Sequence, residues 1–243
     1  MTALRSALYA VFLWTWTLVL ALVYLPLLVL PRRFMTGAAR LWMRGAVWGL
    51  KVLCGLDWRV VGREHLPEGP VLVASKHQSA FETFVLALVF PDPAFVLKRE
   101  LLWIPFFGWY LNKSGVIAID RAAGTRALKA MTKGAQDAAA EGRPVVIFPE
   151  GTRATPGDRL PYHSGVAMIY AALGVPVVPI ALNSGLFWRK RGFAKRAGTL
   201  TLEILPPIPP GVDRKRFMAE LEHRIETATD RLVEEGRRQL GES

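Results

Sequence analysis

The chain has 243 residues, a formal net charge of +11 at pH 7 and an apolar content of 51%. This length suits one sizeable domain with an appendage and is too short for two full domains. A single cysteine, Cys54, excludes an internal disulfide, and with four scattered histidines we expect no metal site. The charge indicates polyanionic partners, and eight tryptophans favour membrane phospholipids among them.

The first apolar segment, Ala7 to Leu30, contains no formal charge. As a straight helix it would measure about 36 Å, longer than a hydrocarbon core of ~30 Å, although Pro26 predicts a kink near its end. It ends in Pro31 and two arginines rather than at a small-residue cleavage site, which argues against a signal peptide. If the segment spans, the cations after it place the rest of the chain on the cytoplasmic face of the cell (inner) membrane. A span and a position in one leaflet both fit this composition.

The second segment, Gly37 to Leu56, carries Arg40, Arg44 and Lys51 within about 40° of one another on a helix. Such a basic stripe predicts a helix in the membrane interface, with its cations at the level of the lipid phosphates. The alternative is a helix that packs on the soluble domain with a solvated basic edge. We expect residues 1–56 to form a two-helix membrane anchor and residues 57–243 a catalytic domain.

Short apolar runs bounded by glycine or proline alternate with helical patterns after the anchor. This alternation predicts an α/β fold with a mostly parallel sheet flanked by helices. The predicted strands are Trp58 to Gly62, Pro70 to Ser75, Pro93 to Lys98, Gly115 to Ile119, Arg143 to Phe148, Val175 to Leu182 and Thr199 to Leu205. The predicted helices are Phe81 to Phe90, Gly124 to Glu141, Gly165 to Leu173 and a tail helix capped by Asp213.

His77 and Glu82 follow the predicted strand Pro70 to Ser75 and supply an imidazole and a carboxylate. On one continuous helix, residues five apart point about 140° away from each other, so the two side chains meet only if the chain turns between them. Such a turn lets Glu82 hold one ring nitrogen while the other acts as a general base. The alternative is a capping box, in which Ser79 caps the helix and Glu82 bonds the Ser79 backbone N–H.

Two further stretches place cations near strand ends. Lys98 begins a block that runs to Arg121, and a buried strand is followed by Phe148-Pro149-Glu150-Gly151-Thr152-Arg153. Residues at the carboxyl ends of parallel strands share one crevice, so Arg121 and Arg153 are expected near His77. Two guanidiniums and a lysine suit a phosphate monoester, because each planar fork makes bidentate hydrogen bonds. The alternatives are an ion pair for Arg121 and a turn-stabilising carboxylate for Glu150.

These blocks, with Val175 to Ile180, resemble the glycerolipid acyltransferases, and most closely the 1-acylglycerol-3-phosphate acyltransferases. The resemblance covers Trp58 to Leu205 in the family's order and spacing. It implies transfer of a fatty acyl group from acyl-CoA or acyl-ACP to the sn-2 hydroxyl of lysophosphatidic acid, giving phosphatidic acid, with no cofactor. His77 and Glu82 would be catalytic, and the substrate-binding residues would be Lys98, Arg121, Glu150, Gly151, Thr152 and Arg153.

Two positions depart from the family's pattern. Glu82 stands where the usual motif has aspartate, and His163 stands where many relatives have lysine. Competing hypotheses are an acyltransferase for another lyso-lipid, such as a lyso-ornithine lipid, and a non-catalytic lipid-binding membrane protein. We expect no nucleic-acid partner, because the sequence contains no recognisable nucleic-acid-binding module.

Overall fold

The computed structural model describes residues 1–242, apart from the side chain of Arg121. Its sheet has the order β1-β7-β6-β2-β5-β3-β4. Strands β6, β2, β5, β3 and β4 are mutually parallel, β1 is parallel to β7, and β6 pairs with β7 antiparallel. The strands are β1 (Leu56–Val61), β2 (Leu72–Ser75), β3 (Ala94–Lys98), β4 (Ile117–Ile119), β5 (Val145–Ile147), β6 (Val177–Leu182) and β7 (Gly198–Ile204). The mostly parallel sheet confirms the predicted fold class.

Helices cover both faces of the sheet. Because side chains alternate along a strand, Val73 of β2 joins one buried cluster while its neighbours Leu72 and Ala74 join another. The first cluster contains residues of α1, α2, α3 and α7, the second contains residues of α5 and α6, and α8 contributes to both. The helices are α1 (Thr2–Val23), α2 (Arg32–Gly49), α3 (Phe81–Val89), α4 (Phe107–Lys113), α5 (Thr125–Ala140), α6 (Gly165–Leu173), α7 (Ser184–Phe187) and α8 (Arg214–Gln239).

The two N-terminal helices begin and end earlier than their sequence patterns indicate. α1 ends at Val23, and a 3-10 turn, Leu25–Leu28, follows it. Pro26 lies in this turn, where its missing N–H and fixed φ prevent continuation of the α-helix. α2 begins at Arg32 and passes into a π-helical turn before β1.

α1 is long and apolar enough to cross a membrane, judged by length and composition alone. It nevertheless shares a core with the rest of the chain, because Tyr9 is fully buried in the first cluster. α1 and α2 approach closely at Gly45 and Gly49, where an added Cβ would lie 2.4 Å from the Trp16 ring and 2.3 Å from the Phe12 ring. The N-terminal helices are therefore packed against the α/β body.

Arg40 does not belong to an outward basic stripe. Its guanidinium donates to the carbonyl oxygens of Ala87, Leu88 and Phe90 at distances of 2.8, 3.1 and 3.1 Å. These carbonyls end α3, where the last turn lacks intrahelical partners, so Arg40 caps that helix. The interpretation of Arg40 as a cation at the lipid phosphates is therefore wrong, whereas Arg44 remains exposed.

Candidate active site

The loop between β2 and α3 brings His77 and Glu82 together. β2 ends at Ser75 and α3 begins at Phe81, so the chain turns between the two residues. His77 Nδ1 lies 2.8 Å from Glu82 Oε1. Because an ionised carboxylate only accepts hydrogen bonds, this contact places the ring proton on Nδ1 and the lone pair on Nε2.

Glu82 is buried, and each of its two carboxylate oxygens accepts hydrogen bonds. Oε1 also accepts the backbone N–H groups of Gln78 at 2.6 Å and Ser79 at 2.7 Å. Oε2 accepts the hydroxyl of Ser184 at 2.8 Å. The bond to Ser79 is the one that the capping-box alternative requires, so Glu82 contacts both the helix start and the imidazole. Its extra methylene, relative to aspartate, does not prevent the contact with His77.

The imidazole of His77 is held by its surroundings and open on one side. Its ring stacks on Phe148 with a centroid distance of 4.0 Å and an interplanar angle of 20°. The side chain is 14% exposed. Among the described residues, Nε2 has no hydrogen-bond partner, so this nitrogen is free to accept a proton from a substrate.

Glu150 lies behind this loop and not at its open side. Its side chain is fully buried, with Oε1 2.8 Å from Lys76 Nζ and Oε2 3.1 Å from the backbone nitrogen of His77. Burial raises the pKa of the Glu150 carboxyl, an effect that Lys76 and the His77 N–H oppose. These contacts favour the alternative of a turn-stabilising carboxylate, and a contact of Glu150 with substrate stays a prediction.

The chain after Glu150 is fixed beside His77. Gly151 has φ +63°, a left-handed conformation that glycine adopts at little cost. The Ala154 N–H donates to the His77 carbonyl at 2.7 Å. Lys190 Nζ donates to the Arg153 carbonyl at 2.7 Å, and it lies 3.4 Å from the hydroxyl of Thr152. The half-buried guanidinium of Arg153 makes no hydrogen bond with the residues that the structure describes.

Lys98 and Arg121 lie at the same edge of the sheet. Lys98 is exposed at the carboxyl end of β3, and its register partner on β4 is Ile119. The backbone of Arg121 follows two residues later, while its side chain lies outside the described part of the chain. The convergence of these two cations with Arg153 on one phosphate stays a prediction.

Three residues of the site were not predicted. Lys76 bonds Glu150, and Ser184 bonds Glu82. Glu226 of α8 accepts from Lys76 with both carboxylate oxygens, at 2.8 and 2.9 Å. Two signals in the sequence point to the ion pair. Lys76 directly follows a strand of mostly apolar residues, and Glu226 flanks the apolar stripe of its helix next to Ile225. A charge in such a position needs a buried partner.

Cys54 and His163 make no hydrogen bond to the His77 imidazole in the described part of the chain. Cys54 is buried beside α1, and burial raises the pKa of its thiol, which favours the unreactive protonated form. His163 is exposed, and its backbone N–H donates to the Pro149 carbonyl at 2.9 Å. Neither residue is placed as a nucleophile.

A protein-family model described as "Acyltransferase" matches residues 57–183. The 1-acyl-sn-glycerol-3-phosphate acyltransferase of Pseudomonas aeruginosa is 42% identical over 185 residues, which cover 76% of this chain and 72% of that protein. The human 1-acyl-sn-glycerol-3-phosphate acyltransferase alpha is 32% identical over 197 residues, covering 80% and 69% of the two chains.

One solved structure shares the fold over nearly the whole chain. It is the crystal structure of the 1-acyl-sn-glycerophosphate (LPA) acyltransferase PlsC from Thermotoga maritima, with a TM-score of 0.77. The match covers 96% of this chain and 99% of that one at 22% sequence identity.

Proposed function

This chain belongs to the acyltransferase family, and from that premise we propose that it acylates 1-acylglycerol-3-phosphate at the free sn-2 hydroxyl. The product is phosphatidic acid, which feeds phospholipid synthesis. One observation carries the proposal: the His77–Glu82 pair, with Nε2 open, lies within a chain 42% identical to a protein named for this activity.

His77 acts as the general base in this proposal. Its Nε2 takes the proton from the acceptor hydroxyl while the oxygen attacks the carbonyl carbon of the thioester. The tetrahedral intermediate then expels the thiolate by breaking the C–S bond, and His77 returns the proton to sulfur. Glu82 keeps the ring proton on Nδ1 and stabilises the imidazolium, so no covalent acyl-enzyme is needed.

Cations beside His77 bind the acceptor phosphate. Arg153 has a half-buried guanidinium without a partner among the described side chains, which suits a charge-assisted bidentate contact. Lys98 and Arg121 contribute from the same sheet edge. Gly151 and Thr152 complete the binding loop, with Gly151 allowing close approach of the backbone.

The acyl donor is a thioester of coenzyme A or of acyl carrier protein, and no cofactor takes part. Both donors present the same thioester carbon to the acceptor oxygen. Reaction requires the two atoms about 3–3.5 Å apart, so the acyl chain and the acceptor must both reach the open side of His77.

The membrane meets an exposed apolar surface of the chain. On α1 it includes Val11, Trp14 and Leu18, which are 63–75% exposed and lie on one side of the helix. Trp103, Ile104 and Trp109, from the aromatic run before β4, are exposed as well. Contiguous exposed apolar area of this kind marks a lipid or protein contact, and an acceptor that is itself a lipid favours the membrane.

α1 lies along the surface of one leaflet. The Ser6 hydroxyl accepts the Lys195 backbone N–H at 2.8 Å, and at the other end the Tyr110 hydroxyl donates to the Ala21 carbonyl. Both ends of α1 contact the α/β body. If α1 crossed the bilayer along the membrane normal, the α/β body would therefore have to enter the bilayer with it. We propose the cytoplasmic face of the inner membrane as the location of the enzyme, with membrane phospholipids as its partners, because a net charge of +11 is attracted to the anionic lipids of that leaflet.

An assay of the purified full-length chain in mixed micelles tests the function. The acceptors are 1-acylglycerol-3-phosphate, a lysophospholipid without a phosphate monoester and a lyso-ornithine lipid, each with acyl-CoA and with acyl-ACP. We expect phosphatidic acid as the main product. Faster acylation of an acceptor without a phosphate monoester would reject the acceptor assignment, and no acylation of any acceptor would favour a non-catalytic lipid-binding protein.

A further inference from the structure

A buried lysine lies directly before the histidine of the site and is bonded to two carboxylates. Lys76 Nζ is 2.8 Å from Glu150 Oε1 and 2.8 Å from Glu226 Oε1, and the Lys76 side chain is 1% exposed. We propose that Lys76 and Glu226 are positioning residues, which hold the His77 backbone in place through Glu150. This inference rests on the proposed function, since it takes His77 as the base.

Three consecutive backbone amides of the loop donate to buried carboxylates. The His77 N–H donates to Glu150 at 3.1 Å, and the N–H groups of Gln78 and Ser79 donate to Glu82 at 2.6 and 2.7 Å. Hydrogen bonds to an ionised carboxylate are about twice as strong as neutral ones. The loop is therefore tied to both carboxylates, and its bond to Glu150 is strongest while Glu150 is ionised.

Lys76 keeps Glu150 ionised. Glu150 and Glu226 bond the same ammonium group, so without Lys76 two carboxylates would face each other in the interior. Like charges at such a distance cannot both ionise, and one of them takes a proton. Protonation of Glu150 would weaken the bond from the His77 N–H and release the loop.

Glu226 fixes the direction of Lys76 from α8, 150 residues away in sequence. Its side chain is 5% exposed, and its Oε1 also accepts the Tyr162 hydroxyl at 2.9 Å. Since the family model ends at residue 183, this carboxylate lies outside the matched region. The C-terminal helix thus contributes to the geometry of the catalytic loop.

The charges around Glu150 make the pH dependence of activity a test of this network. Burial raises the pKa of Glu150, Lys76 and the His77 N–H lower it, and Glu226 raises it. Tyr162 faces the same group of charges through Glu226. Removing Lys76 therefore raises the pKa of Glu150 further. Glu150 acts in its ionised form. On acidification, an enzyme without Lys76 therefore loses the activity that depends on Glu150 at a higher pH than the wild type does.

The experiment compares Lys76→Met, Lys76→Met/Glu226→Gln and Glu226→Gln in the full-length enzyme. Melting curves give the folded fraction, and kcat, KM and the pH profile of kcat/KM are measured with 1-acylglycerol-3-phosphate and acyl-CoA or acyl-ACP, whichever the wild type uses. Lys195→Met is the matched control, because Lys195 is also a buried lysine but contacts aromatic rings instead of carboxylates.

Lys76→Met is expected to lower kcat about a hundredfold, the loss that a misplacement of roughly 1 Å produces, with little change in either KM. The acidic limb of its pH profile of kcat/KM moves to higher pH. In the double variant this limb moves back toward the wild-type position, because the Glu226 carboxylate is gone. Lys195→Met keeps the wild-type kcat and acidic limb.

A loss of turnover that only follows the folded fraction, with the wild-type acidic limb, would overturn the proposal. If Lys76→Met does not fold, Glu226→Gln tests the proposal instead, because this variant retains the Lys76–Glu150 ion pair. This variant is expected to lose about tenfold in kcat, and a wild-type kcat would overturn the proposal. A wild-type enzyme that acylates no 1-acylglycerol-3-phosphate would instead reject the proposed function.

Discussion

His77 is held from three directions at the scale of single residues. Glu82 bonds its ring, Phe148 stacks against its face and Glu150 bonds its backbone. These contacts leave Nε2 as the nitrogen that faces outward. General-base catalysis needs such a fixed ring, because misaligned proton transfer loses most of its rate advantage.

Arg153→Ala is expected to weaken acceptor binding. A hydrogen-bonded ion pair of about 1.5–3 kcal/mol corresponds to a rise in the acceptor KM of roughly tenfold to a hundredfold. The donor KM should stay near the wild-type value. Steady-state kinetics with each substrate varied in turn measures both constants.

The control for this variant is Arg238→Ala, which removes an exposed arginine from the last turn of α8. It should leave both KM values unchanged. A rise in the donor KM alone in Arg153→Ala would show that this guanidinium serves the donor and not the acceptor phosphate.

Ser184→Ala removes a side-chain hydroxyl that bonds Glu82 Oε2. Leaving a buried carboxylate oxygen unsatisfied costs about 1–3 kcal/mol, so we expect kcat to fall about tenfold or more as Glu82 loses its fixed orientation. Stopped assays for kcat and thermal melting separate this effect from unfolding.

Ser6→Ala provides the comparison, because Ser6 is also fully buried but bonds the Thr2 carbonyl, the Lys195 backbone N–H and the Cys54 thiol instead of a carboxylate. It should lower the melting temperature without lowering kcat. Equal kcat values for the two serine variants would argue against a role for Ser184 in orienting Glu82.

The contact between His77 and Glu82 could be predicted from the sequence because the two residues are local, with a single turn between them. Lys76, Ser184 and Glu226 could not be assigned in the same way, since their partners lie far away in the chain. The buried contacts of Glu150 could not be predicted for the same reason. Its position next to Gly151 and Arg153 indicated a binding loop, while its burial depends on packing against α8.

At the scale of elements, α1 and α2 combine an apolar outer surface with polar attachments to the body. Trp16 donates to the Trp42 carbonyl at 3.0 Å, and Trp42 donates to the Thr17 hydroxyl at 2.9 Å. Arg32 at the start of α2 pairs with Asp92 and Glu141. These contacts fix the outer surface of α1 relative to the active site.

The variant Val11→Gln/Leu18→Gln is expected to reduce membrane binding. The two side chains are 67% and 63% exposed, and burying such a side chain in lipid contributes about 1.5–3 kcal/mol. The partition coefficient for vesicles with anionic phospholipid should fall roughly tenfold or more for each residue. Co-sedimentation measures this coefficient.

Val61→Gln serves as the comparison, since Val61 is an exposed apolar residue of β1 outside this surface. It should bind vesicles like the wild type. Unchanged binding of the double variant would show that the outer surface of α1 does not contact lipid.

The existence of both N-terminal helices could be predicted from the uncharged apolar length of the first segment and the one-sided cations of the second. Their contacts could not, because a cation on an apolar helix fits a lipid phosphate and the carbonyl end of another helix equally well. Arg40 takes the second option, since the open end of α3 lies within its reach. Hydropathy along the chain carries no information about that neighbour.

At the scale of the whole molecule, alternating strands and helices predicted a mostly parallel sheet, and the structure has one. The strand order and the antiparallel pairing of β6 with β7 were not predicted. Both depend on which distant segments meet, and a local pattern does not encode that choice. The N-terminal helices and the α/β body also share one core, in which Tyr9 packs with residues of β2, β6 and β7.

The net charge of +11 and the apolar outer surface support the proposed contact with an anionic membrane. Binding to lipid and the acyl transfer step then use different parts of the chain. A change confined to the imidazole should therefore separate the two properties.

Turnover of His77→Ala on vesicles containing 1-acylglycerol-3-phosphate tests the central claim most directly. Loss of the general base is expected to lower kcat by about two to four orders of magnitude, while the membrane-bound fraction stays at the wild-type value. Turnover close to that of the wild type would contradict the account, because another group would then be removing the proton.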